Sequence, residues 1–114
     1  MNIEFLYFQG CPNTPKAFDL LQSVLREQNI DASIRRIEIK TDEDAVHHQF
    51  IGSPTIRIEG VDVETVADER PYAKACRVYL IDGKFTGVPS KVMVENALWG
   101  RKRHKVVALG AVKL

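Results

Sequence analysis

One cysteine stands where a thiol could act as a nucleophile. Cys11-Pro12-Asn13-Thr14 directly follows an apolar stretch over residues 2–8 and directly precedes an amphipathic pattern that predicts a helix. A thiol at such a strand-to-helix junction lies near backbone N–H groups, which favour its thiolate. The thiolate is the form that attacks electrophiles and binds metals. The Thr14 hydroxyl, three residues on, could donate a further hydrogen bond to Cys11. The sequence therefore predicts sulfur chemistry at Cys11.

The same hydroxyl has a competing structural role. Thr14 is a good N-cap for the predicted helix, and Pro15 suits the first helical turn, where the missing N–H of proline would have no partner anyway. If Thr14 caps the helix, Cys11 lies three residues outside it and its thiolate is stabilised less. A buried, inert cysteine at the end of a strand is the alternative to a reactive thiol.

The hydrophobic pattern of the chain predicts the elements that position these residues. Thr41 with Asp44 three residues later predicts a helix N-cap, and residues 59–60 predict the turn of a β-hairpin. Strands that alternate with helices and then follow one another predict an α/β fold, with a mixed sheet of four to five strands flanked by helices. The predicted elements are a strand over 2–8, a helix over 15–28, a strand over 33–39, a short helix from Thr41 stopped by Gly52, hairpin arms over 55–58 and 61–63, a strand over 76–81 and a helix from Ser90 to Trp99.

Length and composition predict one globular domain with a separate tail. The chain has 114 residues, 45% of them hydrophobic and 27% charged, which is ordinary for a single folded domain. We therefore place a domain over residues 1–100 and a tail over residues 101–114. The tail carries five Lys or Arg residues and no acid, so the net charge of +1 divides into a mildly acidic body and a basic tail.

Several classes of protein do not fit this pattern. No apolar run approaches the ~20 residues that span a bilayer, and the start of the chain lacks the pattern of a secretory signal. We therefore expect a cytoplasmic protein without a membrane partner. The basic patch of the tail has no interleaved aromatic residues, so we expect no nucleic-acid partner. We expect apolar residues 106–112 to add a strand to an edge of the protein's own sheet, or to that of a second subunit in a homodimer.

The motifs at the ends of the predicted strands resemble those of a known family. The order of elements over residues 2–99 resembles the thioredoxin fold. More narrowly, the chain is similar to small bacterial and archaeal thioredoxin-like proteins. Some of these are identified as selenoproteins with selenocysteine at the position of Cys11, and some relatives have been labelled alkylmercury lyase-like. Thioredoxins carry Cys-x-x-Cys, whereas this chain has Thr14 at the second cysteine position, which argues against ordinary disulfide reductase activity. The similar segments are Phe5 to Asn13, Gly52 to Thr55, Cys76 to Tyr79 and Gly87 to Pro89.

This resemblance implies a site formed by two motifs. It implies a cis Ser53–Pro54 peptide bond, with the backbone of Ser53 paired to an incoming substrate strand. Cys11 would attack the substrate, Thr14 would stabilise the thiolate, and both motifs would contact the substrate. The implied contact residues are Pro12, Asn13, Ser53, Pro54 and Thr55.

The second cysteine, Cys76, has two alternative places. If strands 55–58 and 76–81 are antiparallel neighbours, Cys76 lies at the opposite end of the sheet from Cys11. That is too far for a disulfide, whose Cα atoms must lie within ~7 Å. If residues 59–60 close a hairpin, the chain returns to the Cys11 end, and Cys76 can lie beside Cys11. The short turn predicted at residues 59–60 favours this second place. Cys76 is then either a resolving thiol or a buried strand cysteine. In a reducing cytosol both cysteines are expected to be free thiols.

These observations lead to three functional hypotheses. The first is a thiol redox protein in which Cys11 takes part in thiol–disulfide exchange or reduces a soft electrophile. Its partner would be a disulfide-bearing protein or a low-molecular-weight thiol, and it would need no cofactor. The second is a non-catalytic binder of soft metal or metalloid ions, such as mercury or arsenic, through Cys11 and Cys76. The third is an interaction module that kept the fold without the chemistry. His47 and His48 would point about 100° apart on a helix, so we expect no metal site there.

Overall fold

A computed structural model of the protein describes residues 1–64 and 71–100. Within these ranges the chain forms a mixed sheet of four strands, a separate two-stranded sheet and three helices. None of the described helices is long and apolar enough to cross a membrane. The predicted tail over residues 101–114, with its packing role, lies outside the described residues. In chain order the elements are β1 (Ile3–Tyr7), α1 (Thr14–Glu27), β2 (Ile34–Glu38), α2 (Asp42–His47), β3 (Thr55–Ile58), β4 (Val61–Asp62), β5 (Tyr79–Ile81), β6 (Lys84–Thr86) and α3 (91–100).

β1 is a central strand of the mixed sheet. It pairs with β2 in parallel and with β3 in antiparallel register, and β4 follows β3, which gives the strand order β2-β1-β3-β4. Side chains of β1 are buried on both faces of the sheet, which explains why this strand is largely apolar. β2 lies at one edge, consistent with its exposed Arg35 and Arg36.

Helices cover both faces of the mixed sheet, as the sequence predicted. On one face α1 and α3 pack against β1 and β3, and the apolar face predicted for α1 is the face that is buried. On the other face lies α2 with a smaller core. The larger core includes Ile3, Phe5, Leu21, Val24, Ile56, Val94 and Leu98. The smaller core consists of Leu6, Ile39, Ala45 and Phe50.

Side-chain hydroxyls cap two of the predicted helices. The Thr41 hydroxyl accepts a hydrogen bond from the Asp44 N–H at 3.1 Å, and the Asp44 carboxylate accepts one from the Lys40 N–H at 3.0 Å. The Ser90 hydroxyl accepts a bond from the Met93 N–H at 3.1 Å at the start of α3. These side chains satisfy backbone N–H groups that have no partner within their helix, so both helices begin where the sequence predicted.

α2 is shorter than the sequence pattern predicted. It ends at His47 instead of running on towards Gly52, because Gln49 adopts the left-handed conformation with φ 53°. The Phe50 N–H then donates to the Ala45 carbonyl at 2.7 Å, and Phe50 turns back into the smaller core. Phe50 is therefore a core residue beyond the helix.

The predicted strand over residues 76–81 forms only in part. Regular strand structure is limited to β5, which pairs with β6 around Asp82 and Gly83, both with positive φ. Among the described residues, neither β5 nor β6 joins the mixed sheet. At the start of the predicted strand, residues 75–77 instead form backbone hydrogen bonds with Ser53. The mixed sheet therefore has four strands, the lower of the two numbers predicted.

Gly52 allows residues 75–77 to approach Ser53 closely. It has φ 149°, and a Cβ there would lie 2.7 Å from Arg77 Cβ and 2.9 Å from Arg77 Cα. Two backbones can come this near only where one residue lacks a side chain. Any larger residue would have to push residues 75–77 away from Ser53.

We expect Gly52→Ala to lower the free energy of unfolding by at least ~2 kcal/mol, because the new methyl group overlaps Arg77 backbone and side-chain atoms. Gly83→Ala is the matched control. Gly83 also has positive φ (77°), but a Cβ there meets no described atom within 4 Å, so only the backbone cost of roughly 1 kcal/mol applies. Urea denaturation of both variants measures the difference. Equal losses would contradict the close contact between Gly52 and Arg77.

Candidate functional site

Cys11 lies in the turn between β1 and α1. Its N–H donates to the Phe8 carbonyl at 3.3 Å, and its carbonyl accepts a bond from the Thr14 N–H at 3.3 Å. The Cys11 residue is only 5% exposed. Backbone bonds on both sides therefore position the thiol, and the surrounding protein shields it from bulk water.

Ser53 borders the Cys11 sulfur. The Cys11 thiol donates to the Ser53 carbonyl oxygen across 3.8 Å, and the Ser53 hydroxyl accepts a bond from the Phe8 N–H at 3.4 Å. Because this hydroxyl accepts from Phe8, its own proton is left to donate to the sulfur. Ser53 is fully buried, and the Ser53–Pro54 peptide bond is cis, as the resemblance implied. The two motifs are thus in contact.

Opposing effects set the pKa of Cys11. Burial by itself raises this pKa, because removal from water disfavours the charged thiolate. Against burial, the Ser53 hydroxyl, the Thr14 hydroxyl and the backbone N–H groups of Asn13 and Thr14 donate hydrogen bonds that favour the thiolate. These bonds outweigh burial, so the pKa of Cys11 lies below that of an ordinary cysteine. A lowered pKa gives a larger thiolate fraction at neutral pH.

Thr14 does not cap α1, which corrects one of its two predicted roles. The N-cap is Asn13, whose φ and ψ of -92° and -7° are already helical and whose side chain makes no capping bond. Thr14 is the first residue of α1 and is buried. Apart from the Cys11 sulfur, its hydroxyl has no hydrogen-bond partner among the described groups. The hydroxyl proton is therefore uncommitted and can turn to the Cys11 thiolate.

The backbone of Ser53 is already paired within the chain, contrary to what the resemblance implied. The Ser53 N–H donates to the Ala75 carbonyl at 2.8 Å, and the Ser53 carbonyl accepts a bond from the Arg77 N–H at 3.0 Å. This pattern is a parallel bridge between Ser53 and Cys76. An incoming substrate strand would have to displace residues 75–77 before it could pair with Ser53.

Cys76 lies at the same end of the sheet as Cys11. Residues 59–60 close the hairpin between β3 and β4, as predicted, and the chain later returns to pair with Ser53. Of the two predicted places, the structure shows the one on the Cys11 side. Both cysteines are free thiols, but Cys11 is buried and Cys76 is exposed. Cys76 is therefore not a buried strand cysteine.

The other predicted contact residues differ in accessibility. Pro12 is exposed and Asn13 is half-buried. The Asn13 side chain packs against Gly87, where any Cβ would overlap it. Thr55 is fully buried, and its hydroxyl donates to the Gly52 carbonyl at 2.6 Å. Pro12 and Asn13 can therefore reach a bound molecule, whereas Thr55 holds the turn before β3.

Arg77 is a site residue that the sequence did not reveal. Its guanidinium is buried 4.1 Å from the centroid of the Tyr79 ring, and it donates two hydrogen bonds to the Asp62 carboxylate at 2.6 and 2.7 Å. The Tyr79 hydroxyl donates to the Pro54 carbonyl at 2.6 Å. Burial by itself lowers the pKa of Arg77, but the bond with Asp62 raises it, so the guanidinium stays charged. Nothing in the spacing distinguishes a buried arginine from an exposed one.

The described residues contain no metal site with three or more side-chain ligands. Within them, no group of three or more His, Cys, Asp or Glu side chains could hold a metal ion. The rings of His47 and His48 contact each other edge to face, with centroids 4.9 Å apart. A metal ion bound near Cys11 would therefore depend on Cys11 and Cys76.

We expect Cys11 to remain reactive at lower pH than an ordinary thiol, since only the thiolate is alkylated and the pKa of Cys11 is lowered. The measurement uses Cys76→Ser, so that Cys11 is the single thiol. It follows the iodoacetamide reaction rate from mildly acidic to alkaline pH. The same variant unfolded in guanidinium chloride is the matched control, because unfolding removes the hydrogen bonds. Coincident midpoints for the folded and unfolded protein would refute the stabilised thiolate.

Thr14→Val removes one donor and keeps the shape of the side chain. We expect the pKa of Cys11 to rise, because burial is unchanged while the thiolate loses a hydrogen bond. Ser23→Ala is the control, since that hydroxyl also lies on α1 but donates to the Leu20 carbonyl. Both variants are compared by alkylation in the Cys76→Ser background. If the two alkylation profiles agree, the Thr14 hydroxyl does not act on the sulfur.

Comparison with protein-family models, with curated proteins and with solved structures found no match to this chain. Cys11 and its surroundings are therefore the basis on which the function of the protein can be inferred.

Proposed function

We propose that this chain is a thiol redox protein in which the Cys11 thiolate is the nucleophile. One observation carries the proposal: the Cys11 thiol contacts Ser53 at the cis Ser53–Pro54 turn, where hydroxyl and N–H groups beside the sulfur favour the thiolate and lower its pKa. A cysteine with a purely structural role needs no hydroxyl and N–H donors around its sulfur, and burial alone would raise its pKa. An inert cysteine at the strand end is therefore the weaker interpretation.

A thioredoxin-like fold is part of this proposal. The element order β1-α1-β2-α2-β3-β4, followed after the β5–β6 pair by α3, supports it. The sheet order, with β1 and β2 parallel and β3 antiparallel to β1, supports it as well. Cys11 follows the first strand and Ser53 precedes the third, and the contact between them agrees with the arrangement that the resemblance implies.

The proposed reaction is thiol–disulfide exchange. The Cys11 thiolate attacks one sulfur of a disulfide and forms a new S–S bond, while the other sulfur leaves with the electron pair as a thiolate. A second thiolate then attacks the substrate sulfur of the mixed disulfide, restores the Cys11 thiolate and leaves with that sulfur in a new disulfide, so the number of S–S bonds is conserved. With a peroxide as the soft electrophile, the Cys11 thiolate attacks one oxygen, the O–O bond breaks with release of water or an alcohol, and Cys11 becomes a sulfenic acid. Two thiols then reduce this acid with release of water.

Access to the sulfur favours a small partner. Cys11 is 5% exposed, and the backbone groups of Ser53 are occupied by residues 75–77. An extended protein strand would therefore need to break two hydrogen bonds before it reached the site. The two residues that follow Cys11 are more accessible, since Pro12 is exposed and Asn13 is half-buried. The partner we propose is accordingly a low-molecular-weight thiol or disulfide.

Binding of a soft metal or metalloid ion is the second candidate, because the structure brings Cys76 to the Cys11 end of the sheet. Thiolates are the ligands that soft ions prefer. Titration with mercuric ion separates this candidate from redox catalysis. Two-thiol binding predicts a large loss of affinity in Cys76→Ser, whereas an unchanged affinity would remove the two-thiol metal site.

Cys11→Ser should lose the catalysed reduction of hydroxyethyl disulfide by glutathione, because a hydroxyl is a far weaker nucleophile than a thiolate. The rate is followed through NADPH consumption by glutathione reductase, after subtraction of the uncatalysed reaction. Ser23→Ala is expected to keep the full rate, since its hydroxyl bonds within α1. Activity retained in Cys11→Ser would overturn the proposed function.

A further inference from the structure

We propose that Cys76 is the built-in second thiol of the site. Cys11 and Cys76 would cycle between a dithiol and an intramolecular disulfide, and an external low-molecular-weight thiol such as glutathione would attack that disulfide at the Cys76 sulfur. This role rests on the proposed redox function of Cys11. It assigns the second thiol of the exchange reaction to the chain itself.

Backbone pairing holds Cys76 next to the residue that contacts Cys11. The Ser53 carbonyl oxygen accepts bonds from both the Cys11 thiol, at 3.8 Å, and the Arg77 N–H, at 3.0 Å. The Ser53 N–H donates to the Ala75 carbonyl, so the peptide groups on both sides of Cys76 are fixed. A disulfide needs Cα atoms within ~7 Å of each other. The pairing keeps both cysteine segments in contact with one residue.

The segment that carries Cys76 is anchored by groups that take no part in the exchange. Arg77 is bound to the Asp62 carboxylate and also donates to the Thr55 hydroxyl at 3.1 Å. Its Cβ packs on Gly52, which has no side chain to keep it away. These contacts keep the backbone around Cys76 paired with Ser53 while the Cys76 thiol takes part in the proposed exchange.

The two sulfurs differ in accessibility, and this difference sets the direction of attack. Cys11 is buried and Cys76 is exposed. In a disulfide between them, the Cys76 sulfur would lie on the solvent side and cover Cys11. Attack at the Cys76 sulfur expels Cys11, whose surroundings stabilise a thiolate, and a thiolate of lower pKa leaves faster.

The cycle balances in electrons and bonds. In the first half, the Cys11 thiolate attacks a substrate disulfide and expels one thiolate, and the Cys76 thiolate then attacks the Cys11 sulfur and expels the second. In the other half, an external thiolate attacks the Cys76 sulfur and expels the Cys11 thiolate. A second external thiolate attacks the external sulfur of that mixed disulfide, which releases a disulfide and the Cys76 thiolate. Two electrons pass from two external thiols to the substrate disulfide.

The test equilibrates the full chain with reduced and oxidised glutathione, quenches it with acid, blocks free thiols with N-ethylmaleimide and maps the peptides by mass spectrometry. In the unmodified sequence we expect the Cys11 and Cys76 peptides to be joined by a disulfide. In Cys76→Ser we expect a glutathione adduct that persists on Cys11. When the oxidised protein receives a limiting amount of glutathione, we expect the trapped adduct on Cys76.

Cys76→Ser combined with Val78→Cys is the matched control. Val78 is 51% exposed and follows on the same segment, but it is not the residue paired with Ser53. This variant keeps one buried and one exposed thiol, and both changes are at exposed positions that tolerate substitution. We expect it to accumulate the glutathione adduct on Cys11 and to lose the internal disulfide.

Each remaining outcome is decisive. A glutathione adduct on Cys11 beside an unmodified Cys76 would overturn the role of Cys76 and leave Cys11 as the nucleophile. An unmodified Cys11 in every variant would overturn the redox function as well. Equal internal disulfide in the Val78→Cys control, or disulfides between two chains, would show that pairing with Ser53 does not select Cys76.

Discussion

The buried backbone of Ser53 is the constraint on which the rest of the site depends. Its N–H and C=O groups are out of reach of water and must find partners within the protein. Ala75 and Arg77 supply the partners on one side, and the Cys11 thiol supplies a further contact with the carbonyl on the other. One residue thereby joins the first turn of the chain to the segment that carries the second cysteine.

The chemistry of Cys11 follows from a balance between burial and hydrogen bonding. Burial alone would produce a neutral, unreactive thiol, and the same burial removes the water that would compete for donors near the sulfur. The Ser53 hydroxyl is turned towards the sulfur by the Phe8 N–H, and the Thr14 hydroxyl has no other partner among the described groups. A site of this kind can hold a thiolate that bulk solvent barely reaches, which is the reason for proposing a compact thiol or disulfide as its partner.

Arg77 holds the segment that carries Cys76 in position. A buried arginine is stable only when its charge is paired, and here the Asp62 carboxylate accepts two of its bonds while the Tyr79 ring lies against the guanidinium. These contacts fix residues 75–77 without involving either sulfur. The absence of a side chain at Gly52 allows the approach. Within residues 75–77, Arg77 thus fixes the position of the segment, and Cys76 carries its thiol.

Much of the local structure could be predicted from the sequence pattern. The strand before Cys11, the cap at Thr41 and the hairpin turn at residues 59–60 depend on neighbours a few positions away, so their patterns predict them correctly. The sequence pattern also predicted the thiol at a strand-to-helix turn, and the resemblance to thioredoxin-like proteins implied Ser53 as its neighbour. It left open whether Thr14 serves the helix or the sulfur, because that choice depends on the backbone angles of Asn13, which a residue pattern does not specify.

The pairing of Cys76 with Ser53 and the role of Arg77 depend on contacts that form only in the folded chain. The predicted strand over 76–81 is not continuous, because residues 75–77 pair with Ser53 instead. Gly52 allows the two backbones to approach, and the Asp62 carboxylate pairs with the buried charge of Arg77. The hairpin turn at residues 59–60 favours the Cys11 side for Cys76, as the structure shows. The contacts that hold Cys76 there join residues far apart in the chain, and no local pattern predicts them.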